Sequence, residues 1–296
     1  METKKSKVYF TSKITKESVL NLFKIFEEQE GSKLEGKVAI KVHSGEEGNQ
    51  NFLRPDFWKE ICEYVNGVVV ECNTAYKGKR YETKDHYELL KNHEWSKYFN
   101  VDILDEKEDL VLDIPNGVCI KKNYVGKNIE KYDSMLVLSH FKGHPMGGFG
   151  GALKQLSIGV ASRYGKAYIH GAGEVEKIWT QEHNLFLQSM ADAASCVISY
   201  FKGKIVYINV MKNMSVDCDC CSVAEDPCIK DIGVLISLDP VSIDKACVDL
   251  VENSNDPGKE HFMERVNSRN GKFTIEAASK LGLGNLEYEL INIDNE

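Results

Sequence analysis

Four of the nine cysteines lie close together in one acidic segment, DCDCCSVAEDPC, where their thiolates could bind a metal. In a reducing compartment thiols stay reduced, and clustered ones bind iron–sulfur clusters or zinc. The spacing C-x-C-C-x6-C matches neither the ferredoxin run nor a zinc-ribbon pair, so the motif predicts a metal site without identifying the metal. The predicted ligands are Cys218, Cys220, Cys221 and Cys228.

The surroundings of these cysteines favour a bound cation. The nearby carboxylates of Asp217, Asp219, Glu225 and Asp226 would raise the pKa values of the thiols unless a cation compensates. Adjacent cysteines strain to reach one metal together, so three of the four would suffice. The alternative is an exposed loop with oxidisable thiols and no metal. The other five cysteines have apolar or helical neighbours and are interpreted as buried small side chains.

Three loops that follow predicted strands hold histidines and basic residues. They begin at His43, Asn73 and Ser139. Parallel strands end at a common edge of their sheet, so the loops are expected to converge around a basic cleft for a small anion. Histidine acts as a metal ligand or as an acid–base group, and arginine holds carboxylates and phosphates. The predicted catalytic residues are His43, His144, Lys154 and His170, and the predicted anion-binding residues are Arg54, Lys77, Arg80, Gly148, Gly150 and Gly151.

The glycine-rich segment HPMGGFGGALK follows the third of these strands. It is not a Walker A loop, because no Gly-Lys-Ser/Thr occurs, and it does not match GxGxxG. Its glycines allow a close turn before a helix predicted near Gly151–Ala161, whose free N–H groups could hold an anion. The alternative is a tight strand-to-helix turn with no ligand.

The elements that must position these residues alternate between strands and helices. Near-continuous apolar strands separated by helices predict an α/β fold, with a mostly parallel sheet, helices on both faces and two lobes flanking a cleft. The lobes are expected to span residues 1–130 and 131–296. The predicted strands are Lys7–Thr11, Lys37–His43, Gly67–Cys72, Asp133–His140, Lys204–Val210, Asp231–Ser237 and one near Tyr288–Ile293.

Composition restricts the partners. Lys+Arg 37 against Asp+Glu 45 gives a net charge of −8, and without a basic block the chain is not expected to bind nucleic acid or an anionic membrane. The amino-terminal segment has no apolar core of a signal peptide, and the longest apolar runs are strand-sized. We therefore expect a cytoplasmic protein with a small anionic ligand, and a redox partner protein if it carries electrons.

Five segments resemble the domain-of-unknown-function family 362, whose members are described as uncharacterised iron–sulfur centre proteins. The segments are IKVHSGEEGNQNFLRP, ECNTAYKGKR, LSHFKGHPMGGFGGALKQLSIGVASRYGK, DCDC and DIGVLISLDPVSIDKACVDLV. The resemblance runs from about residue 38 to 296 and implies a 4Fe–4S cluster. Many members carry an inserted ferredoxin module, but this chain has no C-x2-C-x2-C run. Only the loop over residues 218–228 could therefore hold a cluster.

A fainter resemblance is to lactate racemase, in which a histidine and a lysine matching His144 and Lys154 serve a nickel-pincer cofactor. His170 corresponds to a further histidine downstream. The segment NFLRP resembles a substrate motif of that enzyme, with Asn51 in place of a carboxylate. No histidine matches the first cofactor histidine, because Lys77 and Arg80 occupy that loop. These departures argue against the nickel cofactor.

These patterns together predict a metal- or iron–sulfur-dependent enzyme of redox or isomerase type that acts on a small anion. In it His144 and His170 would be metal ligands or acid–base groups. Two alternatives remain open. One is a non-enzymatic metal protein that holds structural zinc or carries a metal in transit, and the other is a plain small-molecule-binding module.

Overall fold

The computed structural model describes residues 5–295, which form one large sheet and two short ribbons. Residues 1–4 and 296 lie outside the described residues, and with them part of the segment in which no signal peptide is expected. The strands are β1 Ser6–Thr11, β2 Val38–Lys41, β3 Val68–Glu71, β4 Val101–Ile103, β5 Asp109–Asp113, β6 Lys122–Gly126, β7 Ser134–His140, β8 Lys142–His144, β9 Gly148–Gly150, β10 Ile205–Met211, β11 Gly233–Ser237 and β12 Tyr288–Asn292.

The large sheet has eight strands in the order β12-β1-β11-β10-β7-β2-β3-β4. Five of its seven neighbouring pairs are parallel, and only β11 runs antiparallel to both of its neighbours. Because β10, β7, β2, β3 and β4 are mutually parallel, their carboxyl ends lie at one edge. The chain moves outward from β2 to β3 and β4 on one side, and from β7 to β10 on the other. The strand order therefore reverses between β2 and β7, where α/β sheets bind ligands.

Helices cover both faces of this sheet, as predicted. Alternate side chains of each strand enter two separate cores, since successive residues of a strand point to opposite faces. Ile40 and Leu136 pack into the core that contains α1 and α2, whereas Ala39 and Met135 pack into the core that contains α5, α7, α8 and α10. The helices are α1 Lys16–Glu30, α2 Pro55–Val65, α3 Thr83–Asn92, α4 Trp95–Tyr98, α5 Ala152–Ser157, α6 Arg163–His170, α7 His183–Tyr200, α8 Pro240–Glu252, α9 Lys259–Ser268 and α10 Lys272–Lys280.

The predicted α/β class is confirmed, but the glycine-rich region differs from its prediction. In place of a single turn, the strands β8 and β9 form a hairpin. The helix predicted near Gly151–Ala161 ends early, at Ser157, and a second helix, α6, begins after Ser162. The Ser162 side chain accepts a hydrogen bond from the Gly165 amide, which is an N-cap that starts a new helix.

The sheet contains strands from both predicted lobes, since β7 pairs with β2 on one side and β10 on the other. The division at residue 130 remains a prediction. None of the helices within residues 5–295 is both long and apolar enough to cross a bilayer.

Candidate functional site

A cavity of about 160 Å³ opens at the carboxyl edge of the sheet, beside the reversal between β2 and β7. The loops after β2 and β3 and the segment from β8 to α6 supply its walls. Its polar lining is rich in nitrogen and contains a single carboxylate. The charged and imidazole side chains of this lining belong to Lys41, His43, Glu71, Arg80, His144, Lys154, Lys166 and His170, and Cys220 adds a thiol.

Two of the cations are already neutralised by buried carboxylates. Lys41 Nζ lies 2.6 Å from Glu71 Oε2, and Arg80 Nε lies 3.1 Å from Glu46 Oε2. The Ser44 amide and hydroxyl donate to the other oxygen of Glu71, at 2.8 and 2.9 Å. Burial opposes ionisation of Glu71, but the charges of Lys41 and Arg80 outweigh it and hold its pKa well below the usual range. These pairs form the floor of the cavity and add little net charge to it.

Two further lysines have no carboxylate partner among residues 5–295. Half-buried Lys154, on α5, makes no hydrogen bond or ion pair with the described residues and faces the cavity. Lys166, on α6, is buried, and its Nζ donates to the Ala161 carbonyl oxygen at 2.5 Å. Desolvation by burial lowers the pKa of Lys166. The cavity therefore has an excess of positive charge in a partly enclosed space, where charges interact strongly.

His170 has an unoccupied ring nitrogen. Its Nδ1 donates to the Lys166 carbonyl oxygen at 2.7 Å, one turn back along α6, and its ring stacks on Phe186 with centroids 4.6 Å apart. Donation from Nδ1 places the lone pair of the neutral ring on Nε2. Burial lowers the pKa of His170 to about 4, so the ring is neutral at pH 7. His170 thus offers a proton acceptor to the cavity.

His144 has the opposite tautomer. Its Nδ1 accepts the amide hydrogens of Met146 and Gly147 at 3.1 and 2.8 Å, which leaves the ring proton on Nε2. Nε2 faces the Cys220 sulfur at 3.9 Å. Burial, reinforced by the nearby Lys154 charge, lowers the pKa of His144 to about 4. The neutral ring therefore points an N–H group toward the thiols.

Only part of the predicted four-cysteine set comes together. The sulfurs of Cys218 and Cys220 and a ring nitrogen of His144 all lie within 4.8 Å of one another. Cys221 lies outside this group, with its thiol in hydrogen-bond contact with that of Cys220. Cys228 is separate, and its sulfur contacts the Met214 carbonyl oxygen at 3.5 Å. The described residues thus bring two of the four cysteines together with a histidine at the spacing of one metal ion, and the four-cysteine set stays a prediction.

Buried charges hold the cysteine loop in place. Asp219, between the two clustered cysteines, lies 2.9 Å from both His140 Nδ1 and Lys142 Nζ. The other nitrogen of His140 faces the Lys212 carbonyl oxygen at 2.6 Å, so both ring nitrogens donate, the pattern of a charged imidazolium. The prediction held that the nearby carboxylates raise the thiol pKa values unless a cation compensates, and at Asp219 His140 and Lys142 provide that compensation. Burial is the main cause that raises the pKa of Cys218.

His43 also lines the cavity, and a nitrogen of another residue lies close to each of its ring nitrogens. Nδ1 accepts the Gly45 amide hydrogen at 3.1 Å, and Nε2 lies 3.4 Å from an Arg80 nitrogen. Burial, together with the charges of Arg80 and Lys142, holds the pKa of His43 well below its usual range. His43 is therefore neutral and less available to a ligand than His170.

Two predicted anion-binding residues lie outside the cavity. Arg54 stacks on the Phe52 ring, 3.9 Å from its centroid, and lines a different groove with Lys212. Lys77 is exposed and lies with Cys220 and Cys221 in a separate surface depression. Both predictions relied on loop sequence, which does not show the direction of an individual side chain.

The glycines predicted to bind an anion, Gly148, Gly150 and Gly151, precede a helix N-terminus that already has a partner. The first amides of α5, from Ala152 and Leu153, donate to the Asp244 carboxylate at 2.7 and 2.9 Å. A side chain of the protein itself therefore occupies the helix N-terminus. Gly151 is required there because a Cβ atom would collide with Asp244. Gly150 does approach the basic groups, since Lys142 and Lys154 flank it.

Comparison with known proteins places this chain in a family. The model of the family described as "Domain of unknown function (DUF362)" matches residues 38–249, most of the chain. The chain belongs to this family. The matched region ends earlier than the expected limit at residue 296, before α9, α10 and β12. No curated protein matches this DUF362 chain.

Two solved structures have a similar chain course. The lactate racemase apoprotein from Thermoanaerobacterium thermosaccharolyticum is 14% identical, with a TM-score of 0.42 over 68% of this chain and 50% of that one. A protein from Thermotoga maritima is 12% identical, with a TM-score of 0.44 over 90% of this chain and 59% of that one. The DUF362 chain thus spans only about half the length of the racemase that it matches.

Sequence reasoning missed the buried lysines and the carboxylate of this DUF362 site. Lys41 and Glu71 lie at the ends of apolar strands, where a charged residue is unusual and marks a buried pair. Lys166 lies four residues before His170, the spacing that places two side chains on one helix face. That pattern was detectable, but only once α6 was recognised as a helix.

Proposed function

We propose that this protein is an enzyme that binds a small organic anion in the cavity and transfers a proton on it, with a soft metal ion at the cavity wall. The observation that carries the proposal is the placement of Lys154, unpaired among the described residues, in one cavity with neutral His170. The first supplies charge for an anion and the second supplies a base.

Charge balance supports the anion. Lys41 and Arg80 are matched by Glu71 and Glu46, which leaves the positive charge of Lys154 without a carboxylate partner in the cavity. A carboxylate or phosphate bound beside Lys154 would complete the balance. An anion close to His170 would also raise the pKa of that ring and strengthen it as a base. Substrate binding and base strength would therefore increase together.

The cysteines support a single metal ion better than a four-cysteine cluster. Cys218, Cys220 and His144 present three donors within 4.8 Å, and soft thiolates suit zinc and similar ions. A 4Fe–4S cluster held by all four cysteines is the alternative that this grouping favours less, since Cys228 lies outside the group. His144 could bind the ion through Nε2 only after that nitrogen loses its proton, because its Nδ1 accepts hydrogen bonds whereas metal-binding histidines donate from the second nitrogen. A bound ion would supply Lewis-acid polarisation of a substrate oxygen.

Thermal shift tests the anion site. We expect phosphate and small carboxylates to raise the melting temperature of the full chain, and Lys154→Met to remove most of that rise. Lys280→Met, at an exposed lysine on α10, is the matched control and should keep it. If the wild type shows no anion-dependent rise, or if both variants lose it equally, the proposed site is wrong.

Metal analysis of anaerobically purified protein tests the thiol site. We expect Cys218→Ser and Cys220→Ser to lose a stoichiometric metal, while Cys228→Ser, in the same loop, retains it. Loss of brown colour and iron from Cys228→Ser would instead support a four-cysteine cluster. A protein that binds metal but responds to no anion would favour a metal carrier over an enzyme.

A further inference from the structure

Lys166 differs from the other buried lysines of the described chain in having no carboxylate partner. Lys41 lies 2.6 Å from Glu71, and Lys142 lies 2.9 Å from Asp219. Lys166 is also buried, with 8% of its surface exposed, yet its Nζ contacts only a neutral acceptor, the Ala161 carbonyl oxygen. Burial of an unpaired ammonium is costly, and this cost favours the neutral amine.

The charges around Lys166 both raise and lower its pKa, and burial has the largest effect. Desolvation is the largest cause that lowers its pKa, and the nearby Lys41 adds to it, whereas Cys72 and the carboxylates of Asp105 and Glu71 oppose it. The result is a lysine whose unprotonated, nucleophilic form is more populated than that of a surface lysine. Lysines in such surroundings are suited to form imines with carbonyl compounds.

The same cavity contains two other groups that would assist imine formation with an anionic carbonyl compound. His170 lies one turn along α6, and its Nδ1 bond to the Lys166 backbone fixes the ring with Nε2 unprotonated. Lys154 lies on α5 and provides an unpaired positive charge. All three side chains line one cavity, so a small molecule could contact a nucleophile, a base and an anion-binding charge together.

We propose that Lys166 forms an imine with a small carbonyl compound that carries a carboxylate, such as a 2-oxo acid or an aldehyde acid. The Nζ lone pair adds to the carbonyl carbon, and His170 Nε2 accepts a proton from nitrogen and returns it to oxygen. Both hydrogens of the amine leave with the carbonyl oxygen as one water molecule, so neither oxidant nor reductant is needed. The substrate class rests on the proposed anion site, whereas the imine itself does not.

Reductive trapping tests this assignment. The full chain is incubated with glyoxylate and cyanoborohydride, and the reduced adduct is located by intact mass and peptide mapping. We expect one dominant adduct on Lys166, reduced at least tenfold in Lys166→Arg and retained in Lys280→Arg. An adduct of equal yield in Lys166→Arg, or one spread evenly over exposed lysines, overturns the proposal.

A second measurement needs no variant and so does not depend on variant folding. In the wild type, glyoxylate and cyanoborohydride should label Lys166 faster than Lys280. The ratio of the two labelling rates should increase as the pH is lowered from 9 to 7, because surface amines protonate first. Equal rates at both pH values overturn the proposal.

An uncharged aldehyde separates the two proposals. Trapping of Lys166 by propanal without any anion-dependent thermal shift would support the imine and refute the anion site. An anion-dependent shift without trapping by either aldehyde would support the anion site and refute the imine.

Discussion

The three histidines of the cavity have different roles because their Nδ1 atoms make different hydrogen bonds. Nδ1 of His170 donates to a carbonyl oxygen, while Nδ1 of His144 and of His43 accepts backbone amide hydrogens. In a neutral ring, the contact of one nitrogen sets the state of the other. Only His170 therefore offers an unprotonated Nε2 that no described residue hydrogen-bonds, although all three residues come from similar loop or helix-end sequences.

The ion pair on the cavity floor yields a residue-scale stability prediction. Glu71→Gln leaves Lys41 buried beside a neutral amide, and breaking a buried pair costs about 3–5 kcal/mol. Chemical denaturation should show this loss in the free energy of unfolding. The control Glu108→Gln removes an exposed pair with Lys127 and should change that free energy by less than about 1 kcal/mol.

The pH dependence of the same pair follows from the direction of its pKa shift. The folded-state pKa of Glu71 lies below the ordinary value of 4.5. Its stabilising contribution is therefore complete above that value and is lost as the pH falls through the folded-state pKa. The difference in unfolding free energy between the wild type and Glu71→Gln should shrink below about pH 4.5. A difference that grows on acidification would contradict this assignment.

At the scale of elements, α5 is positioned by a carboxylate from another helix. Asp244, on α8, accepts the first two amides of α5 and the side-chain amide of Asn209, at 2.7–2.9 Å. Burial raises the pKa of Asp244 to about 6, against the opposing effect of these donors. Helix α5 carries Lys154, so Asp244 is a positioning residue for the proposed anion site.

Asp244→Asn should weaken anion binding without touching the cavity. The amide has only one oxygen, so at least one donor of α5 is left unsatisfied, at a cost of about 1–3 kcal/mol in stability. We expect a smaller anion-dependent thermal shift than in the wild type. Asp192→Asn is the matched control, since Asp192 also accepts backbone amides but lies on α7 outside the cavity. An equal reduction in both variants would indicate a global effect.

The cysteine loop depends on its own buried charge. Asp219→Asn removes the counter-charge of His140 and Lys142, and we expect a loss of about 3–5 kcal/mol in unfolding free energy. Stoichiometric metal should also decrease, because Cys218 and Cys220 flank the anchor. Exposed Asp226→Asn, in the same loop, should leave both quantities unchanged. Full metal content in a destabilised Asp219→Asn protein would show that the thiols do not need this anchor.

At the scale of the whole molecule, one sheet joins the two halves of the sequence. Strand β7 pairs with β2 over Val38–Lys41 and with β10 over Ile205–Val210. Neither half can bury its apolar strand faces without the other. We therefore expect calorimetry to show a single cooperative transition, with equal calorimetric and van't Hoff enthalpies. Two resolved transitions would instead support independent lobes.

The sequence by itself determined most strands of the large sheet and the edge at which the site lies. Apolar strands such as Ser134–His140, alternating with helices, are local patterns that burial makes obligatory, and they were sufficient to predict a mostly parallel sheet. The parallel arrangement then required the loops after Lys41 and Glu71 to meet at one edge. His43, Arg80, His144, Lys154 and His170 were predicted for the site and do line the cavity.

Only the tertiary structure decided which polar groups remain available to a ligand. Asp244 and Asp219 are distant in sequence from the amides and cations that they satisfy, so no local pattern shows that they neutralise these groups. Arg54 and Cys228 have suitable chemistry but point elsewhere, whereas Lys166 is left unpaired. Whether a buried charge is free depends on partners that the fold brings together from remote segments, and spacing along the chain does not encode that pairing.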